Sequence, residues 1–398
     1  MQVWSIPIII KPDKSKEELF MSKVLKHAII YTGLEKIDDG YIRFGKEIEA
    51  VGPMDDYVAQ PDDDIEFVSG KTIVPGFIDV HSHGGYSFDS MDGNPAEINE
   101  MVNDMVAREG ITSYFCTTMT QSNENLDHSM AGINKAADEN PVIQGVHLEG
   151  PFISATFKGA QPEKYIKNPN VDLLDNWNKL SGGRVKLITY APEDPGSREF
   201  EKYCLENGIV PSVGHSNATR EQLLASKATH VTHLYNAQRE FKHREPGVTG
   251  HAMLENNMYC ELICDGFHIV PDMIKLAYEQ KGVDRIELVT DSMRAKGEPD
   301  GISELGGQKV IVKDGQARLE EGNLAGSVLT FINAFKNIQK FTGCGIAEAV
   351  KMASVNQARE FGLTKKGTLE AGKDADINIL DGNQDLVATY SYGKKAAK

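Results

Sequence analysis

Two textures alternate along most of this chain. Short apolar, β-branched runs that end in one to three polar residues are separated by amphipathic stretches of helical period, a pattern that predicts repeated βα units around a parallel sheet. Eight runs read as strands: TIVPGFIDV (72–80), ITSYFCTT (111–118), VIQGVHLEG (142–150), RVKLITYAP (184–192), IVPSVGH (209–215), THVTHLYNA (229–237), MYCELICDG (258–266) and RIELVTD (285–291). Between several of them lie helical patterns such as EINEMVNDMVAREG, SREFEKYCLENG, TREQLLASKA and PDMIKLAYEQKG. Eight parallel strands close naturally into a barrel, so the expected architecture is α/β, a (β/α)8 TIM-like barrel over residues 73–365. Two more helical patterns, VLTFINAFKNIQKFTG and IAEAVKMASVNQAREFGL, lead away from the last strand.

The chain ends read differently. VLKHAIIYTG, YIRFGKEIEAVG and IEFVSGKTIVPG near the start, and GTLEAGKDADINILDG and LVATYSYGKK near the end, are short glycine-broken alternating runs. They predict one small β-sandwich domain built from both ends, residues 21–72 and 366–398. Residues 1–20 fit neither part and read as an N-terminal tail.

Composition narrows the class of protein. Of 398 residues, 40% are hydrophobic and 25% charged, a globular balance. Lys and Arg number 42 against 58 Asp and Glu, a net charge of −16 that repels nucleic-acid backbones and anionic membranes. That total also argues against an anionic small molecule, unless positive charge is concentrated locally. The opening lacks the charge order of a secretory signal and no long apolar span exists, so a cytoplasmic location is expected. Cys116, Cys204, Cys260, Cys264 and Cys344 form an odd set without CxxC spacing, which reads as buried reduced thiols.

The polar residues at the strand ends carry the chemistry. In a (β/α)8 barrel the carboxyl ends of different strands converge in space. His81 and His83 end the first strand, Glu149 the third, His215 the fifth, His233 the sixth and Asp291 the eighth. Each alone is unremarkable: an HxH at a turn, a capping glutamate, a histidine in a loop. One metal centre at the barrel mouth accounts for His81, His83, Glu149, His215 and His233 together. Imidazole and carboxylate without thiolate suit Zn, Fe, Co or Mn. Asp291 then falls where a carboxylate moves the proton of a metal-activated water, which makes hydrolysis the expected reaction.

Read together, PGFIDVHSHG (75–84), HLEGPF (147–152), VGHS (213–216), THLYNA (232–237), REPG (244–247), DGFH (265–268) and VTDSM (289–293) resemble the N-acetylglucosamine-6-phosphate deacetylases of the metal-dependent amidohydrolase superfamily. The resemblance runs from about Met21 to about Leu380. It implies Glu149, His215 and His233 as ligands of a main metal, His81 and His83 as ligands of a second, hence one or two ions per subunit, and Asp291 as catalytic base and acid. It further implies phosphate contacts from Asn236 and Ala237, a substrate contact from His268, pocket lining by residues 324–327, and Arg244 reaching the site of a neighbouring subunit in a homodimer. Where many relatives carry KGAH, this chain has KGAQ, so Gln161 stands in for a histidine that polarises the acetyl carbonyl. An amide can donate to an oxyanion but cannot carry positive charge. Arg244 has separate support from QREFKHREPG, where Arg239, Lys242 and Arg244 cluster in an otherwise acidic chain and offer a phosphate clamp.

The implied activity is removal of acetate from N-acetyl-D-glucosamine 6-phosphate in amino-sugar catabolism and cell-wall recycling. The galactosamine epimer as substrate is the nearest alternative. A catalytically inactive barrel used for binding is another, and such barrels lose metal ligands that are all present here.

Overall fold

A computed structural model describes residues 22–397, so the segment read as a tail lies outside the described residues. The alternating run forms one sheet of eight parallel strands: Phe77–Ser82, Ile111–Thr118, Ile143–Glu149, Val185–Tyr190, Val210–Val213, His230–Val231, Tyr259–Ile263 and Ile286–Val289. Each pairs with its neighbour in sequence. The first and eighth close the ring just beyond their ends: the Asp291 N–H donates to the His81 carbonyl (2.8 Å), and the N–H groups of His83 and Gly84 donate to that of Ser292 (2.9 and 3.0 Å). Ile78, Val80, Phe115, Leu187, Ile263 and Val289 fill the interior below the mouth.

Helices cover the outside because their apolar residues recur every three or four positions. Helix Pro95–Glu109 starts where the Asn94 side chain accepts from the Ala96 N–H, stops at left-handed Gly110, and buries Ile98, Met101, Val102 and Met105 against the sheet. The pattern at 346–363 folds as a helical run, Ile346–Val350 and Asn356–Glu360, joined by a π-helical turn over Lys351–Val355. That run seals the barrel floor. Asn356 Nδ2 donates to the carbonyls of Val283 and Ile286, and Gln357 Nε2 to that of Leu288.

The run TIVPGFIDV is divided. Thr72–Pro75 pairs antiparallel with Ile377–Leu380 in the chain-end sheet, and Phe77 begins the barrel. Gly76 makes the crossing. A Cβ there would lie 2.0 Å from Thr112 Oγ1, so no larger residue fits between the two sheets. The run THVTHLYNA keeps only His230 and Val231 extended, because His233, Tyr235 and Ala237 all adopt positive φ.

Both chain ends build the second sheet, eight strands in which the central Lys23–Tyr31 pairs with Lys36–Phe44 on one side. On its other side it pairs with Asp64–Phe67 along its first half and with Thr72–Pro75 along its second. Leu25, Ile30, Ile42, Phe44, Ile377 and Tyr390 form its core. A three-stranded antiparallel insert, Gly301–Leu305, Gln308–Lys313 and Gln316–Leu319, follows the last barrel strand and has no counterpart in the sequence reading. Its alternating Val310, Val312, Ala317 and Leu319 pack toward Met119 and Met293 beside the mouth. All five cysteines are buried and free. No helix among the described residues is long and apolar enough to cross a membrane.

Candidate metal centre and active-site pocket

Three of the strand-end candidates sit on left-handed backbone: His215 (φ 46°), His233 (φ 30°) and Asp291 (φ 46°). Side chains other than glycine adopt this conformation at a cost, and such residues concentrate at functional sites. Here the turn at each strand end aims the side chain inward over the barrel axis.

Glu149 is the hub. Its Oε1 lies 3.0 Å from His215 Nε2, 2.9 Å from His233 Nε2 and 3.7 Å from His81 Nε2, and its Oε2 lies 3.2 Å from His83 Nε2. Asp291 Oδ1 faces the other edge, 3.5 Å from His81 Nε2 and 3.3 Å from His83 Nε2. Two groups with mutually close ligand atoms result, Glu149 with His215 and His233, and His81 and His83 with Asp291. All six side chains are buried.

The donor set fits a cation. His215 Nδ1 faces the Phe157 carbonyl (2.9 Å) and His81 Nδ1 faces Glu261 Oε2 (2.8 Å). Both partners only accept, so these Nδ1 atoms carry the protons and the Nε2 atoms turn into the site. His215 Nε2 and His233 Nε2 stand 3.1 Å apart against the same carboxylate oxygen, too close for a proton on each. His81 Nε2 is buried with no hydrogen-bond partner. The electrostatics agree. Burial disfavours charge on His81, but Glu261, Asp291 and Glu149 raise its pKa to about 9. Burial opposes ionisation of Glu149 too, yet His215, His233 and His83 hold its carboxyl well below the usual range. This hole in the barrel attracts positive charge.

The pocket above is lined by His83, Glu149, His215, His233 and Asp291 together with Gln161, Asn236, Ala237, His268, Leu305, Leu324 and Gly326. Gln161 is clamped: its Oε1 accepts from the Thr120 N–H (2.7 Å) and its Nε2 donates to Glu149 Oε2 (2.7 Å). His268 Nδ1 pairs with Asp265 Oδ2 (2.6 Å). Asn236 Nδ2 lies within 3.4 Å of the carbonyls of His233 and Leu234. The basic cluster does not converge on this pocket within its own chain. Arg244 is exposed and outside the lining, Lys242 pairs with Glu240 (3.1 Å), and Arg239 Nε donates to the Asn217 carbonyl (2.8 Å).

Three buried polar residues beneath the ligand shell are absent from the sequence reading. Glu261 on the seventh strand bonds His81 Nδ1 and accepts from the His233 N–H (2.9 Å). His147 meets Thr189 Oγ1 (2.7 Å). His230 meets Glu261 Oε1 (3.1 Å). A glutamate in the middle of the apolar run MYCELICDG was the legible signal for the first.

Comparisons with known proteins identify the family. The model of the amidohydrolase family matches residues 72–398. An N-acetylglucosamine-6-phosphate deacetylase of Lysinibacillus sphaericus is 42% identical over 82% of this chain and 86% of its own length, and one of Bacillus subtilis is 36% identical over 94% and 97%. Among solved structures, a mutant N-acetyl-D-glucosamine-6-phosphate deacetylase of Mycobacterium smegmatis in complex with N-acetyl-D-glucosamine-6-phosphate superposes with a TM-score of 0.90 at 29% identity, covering 95% of this chain and 100% of that one. On its matched sequence and its fold, the chain belongs to the amidohydrolase family.

Proposed function

We propose that this protein is a hydrolase that removes the acetyl group from N-acetyl-D-glucosamine 6-phosphate, yielding D-glucosamine 6-phosphate and acetate. The observation that carries the reading is the convergence of Glu149, His215, His233, His81, His83 and Asp291 at one barrel mouth, in a chain whose deacetylase relatives match nearly end to end.

Glu149, His215 and His233 would hold one divalent ion, Zn, Fe, Co or Mn, and His81 and His83 a second. An ion held there supplies a Lewis acid for the acetamide carbonyl and a water of lowered pKa. Asp291 takes a proton from the attacking water and later gives it to the departing nitrogen. Burial disfavours its charge, but His81 and His83 keep its carboxyl below the ordinary range, so it enters the reaction as a base. Gln161 Nε2 has two hydrogens. One is given to Glu149, and the other is free for the carbonyl oxygen as negative charge develops there. With its Nδ1 engaged by Asp265, His268 has Nε2 left for a sugar hydroxyl. Asn236 and the Ala237 backbone receive the phosphate, and Arg244 of a second subunit completes the clamp in a homodimer. Such an enzyme serves amino-sugar catabolism and cell-wall recycling in the cytoplasm.

The test is acetate release from N-acetyl-D-glucosamine 6-phosphate, its galactosamine epimer and unphosphorylated N-acetyl-D-glucosamine. The glucosamine phosphate should give the highest kcat/KM. A preference for the epimer would replace the substrate, and no release from any of the three would end the reading.

A further inference from the structure

Below the mouth, the barrel holds a second group of titratable side chains that deacetylation does not use. His230 on the sixth strand, Glu287 on the eighth and Glu360 at the end of helix Asn356–Glu360 bring one potential ligand atom each within 4.8 Å of the others. His230 Nδ1 lies 3.0 Å from Glu360 Oε2. His230 and Glu287 are fully buried, and the Glu360 side chain is only 5% exposed. Both oxygens of Glu287, and Oε1 of Glu360, have no hydrogen-bond partner.

Glu261 links this group to the mouth. Its Oε2 takes His81 Nδ1 at 2.8 Å and its Oε1 takes His230 Nε2 at 3.1 Å. A carboxylate accepts, so each ring donates one N–H to Glu261 and turns its other nitrogen away. For His81 that nitrogen faces the mouth, and for His230 it faces Glu360. Orientation of an imidazole by a carboxylate on its far side is the arrangement that fixes metal-binding histidines.

With Nε2–H given to Glu261, His230 Nδ1 presents a lone pair to a carboxylate oxygen, acceptor against acceptor. Glu287 adds a second buried carboxyl that faces the carboxyl of Glu360, and uncompensated buried charge is expensive. Arg359, next to Glu360 in sequence, is no help, since it turns outward to the Tyr259 hydroxyl and the Asp284 carbonyl. Two protons, one on His230 and one on Glu287, would neutralise the group. One cation satisfies all three donor atoms at once.

We propose that His230, Glu287 and Glu360 form a structural cation site in the barrel floor, distinct from the mouth, that takes one divalent transition-metal ion through an imidazole nitrogen and two carboxylates. The donor set suits Zn or Mn. The ring of Phe361 lies 6.1 Å from that of His230 and covers the group from one side. It ties the last helix to the sixth and eighth strands.

The test uses the full chain expressed with supplemented zinc, with metal per chain measured by plasma mass spectrometry. Three proteins are compared: wild type, Glu287→Gln, and a mouth variant that dismantles both ligand groups there, Glu149→Gln with His215→Asn, His83→Asn and Asp291→Asn. The site predicts that wild type exceeds Glu287→Gln by one equivalent of zinc while Glu287→Gln still releases acetate. It also predicts that the mouth variant, though inactive, keeps one equivalent until unfolded in guanidinium. Equal zinc in wild type and folded Glu287→Gln, or a folded mouth variant without zinc, would overturn the site. Should Glu287→Gln fail to fold, the ion kept or missing in the mouth variant decides alone. Loss of acetate release only in the mouth variant bears on the deacetylase reading and leaves the floor site standing.

Discussion

At the scale of single residues, the centre is a problem in charge placement. Four imidazoles and two carboxylates face one another across less than 4 Å, and three of them are held from behind: His81 by Glu261, His215 by the Phe157 carbonyl, Glu149 by Gln161. Asp291 differs from the rest because its contacts reach only the two HxH histidines, which suits proton transfer better than ligation to the main ion. Replacing it with Asn should lower kcat by about 10²–10⁴-fold, the usual loss for a general acid and base, with metal content unchanged. A retained rate would remove it from the mechanism. Gln161→Ala should lower kcat/KM by up to about 10²-fold, as one oxyanion donor is lost. An unchanged kcat/KM would show that its two hydrogen bonds serve the fold alone.

At the scale of elements, the candidate ligands that end apolar runs were legible because strand ends in a barrel share one face in space, whatever their separation in sequence. The supporting shell was harder to see. Glu261, His147 and His230 lie on strands, where a polar residue looks like a break in the pattern until other strands bring His81 and Thr189, and the last helix brings Glu360, against them. The split at Gly76 was hidden for a related reason: TIVP and FIDV have the same texture, and only the contact with Thr112 shows that two sheets meet there. The three-stranded insert escaped notice because its alternation is short and one face stays wet, with Ile302 75% exposed. Gly76→Ala tests the junction. Overpacking there should destabilise the protein by about 1–3 kcal/mol in denaturant unfolding, and an unaltered midpoint would mean that the two sheets move apart freely.

Over the whole molecule, a net charge of −16 excludes polyanionic partners but does not speak for a single pocket. Arg244 is exposed in its own chain, and the phosphate contact proposed for it requires a second copy. Arg244→Ala should raise KM for the phosphorylated sugar far more than for the unphosphorylated one, and equal effects on both would refute a phosphate contact. The chain-end sheet contributes to stability in acid through one buried ion pair. Arg43 binds Asp63 through Nε and Nη2 (2.9 and 2.7 Å) and holds its carboxyl near a pKa of about 2, although burial pulls the other way. A depressed carboxyl stabilises the fold above its unfolded pKa, so this contribution is complete at neutral pH and disappears as pH falls from about 4 toward 2. Asp63→Asn should therefore lose stability at pH 7 and differ little from wild type near pH 2, as read from melting temperatures across that range.

Metal-dependent deacetylation itself is tested most directly by following acetate release from N-acetyl-D-glucosamine 6-phosphate before chelation, after removal of metal, and after readdition of a divalent ion. Activity should vanish with the metal and return with it. Release that continues undiminished in protein verified to be free of metal would contradict the account.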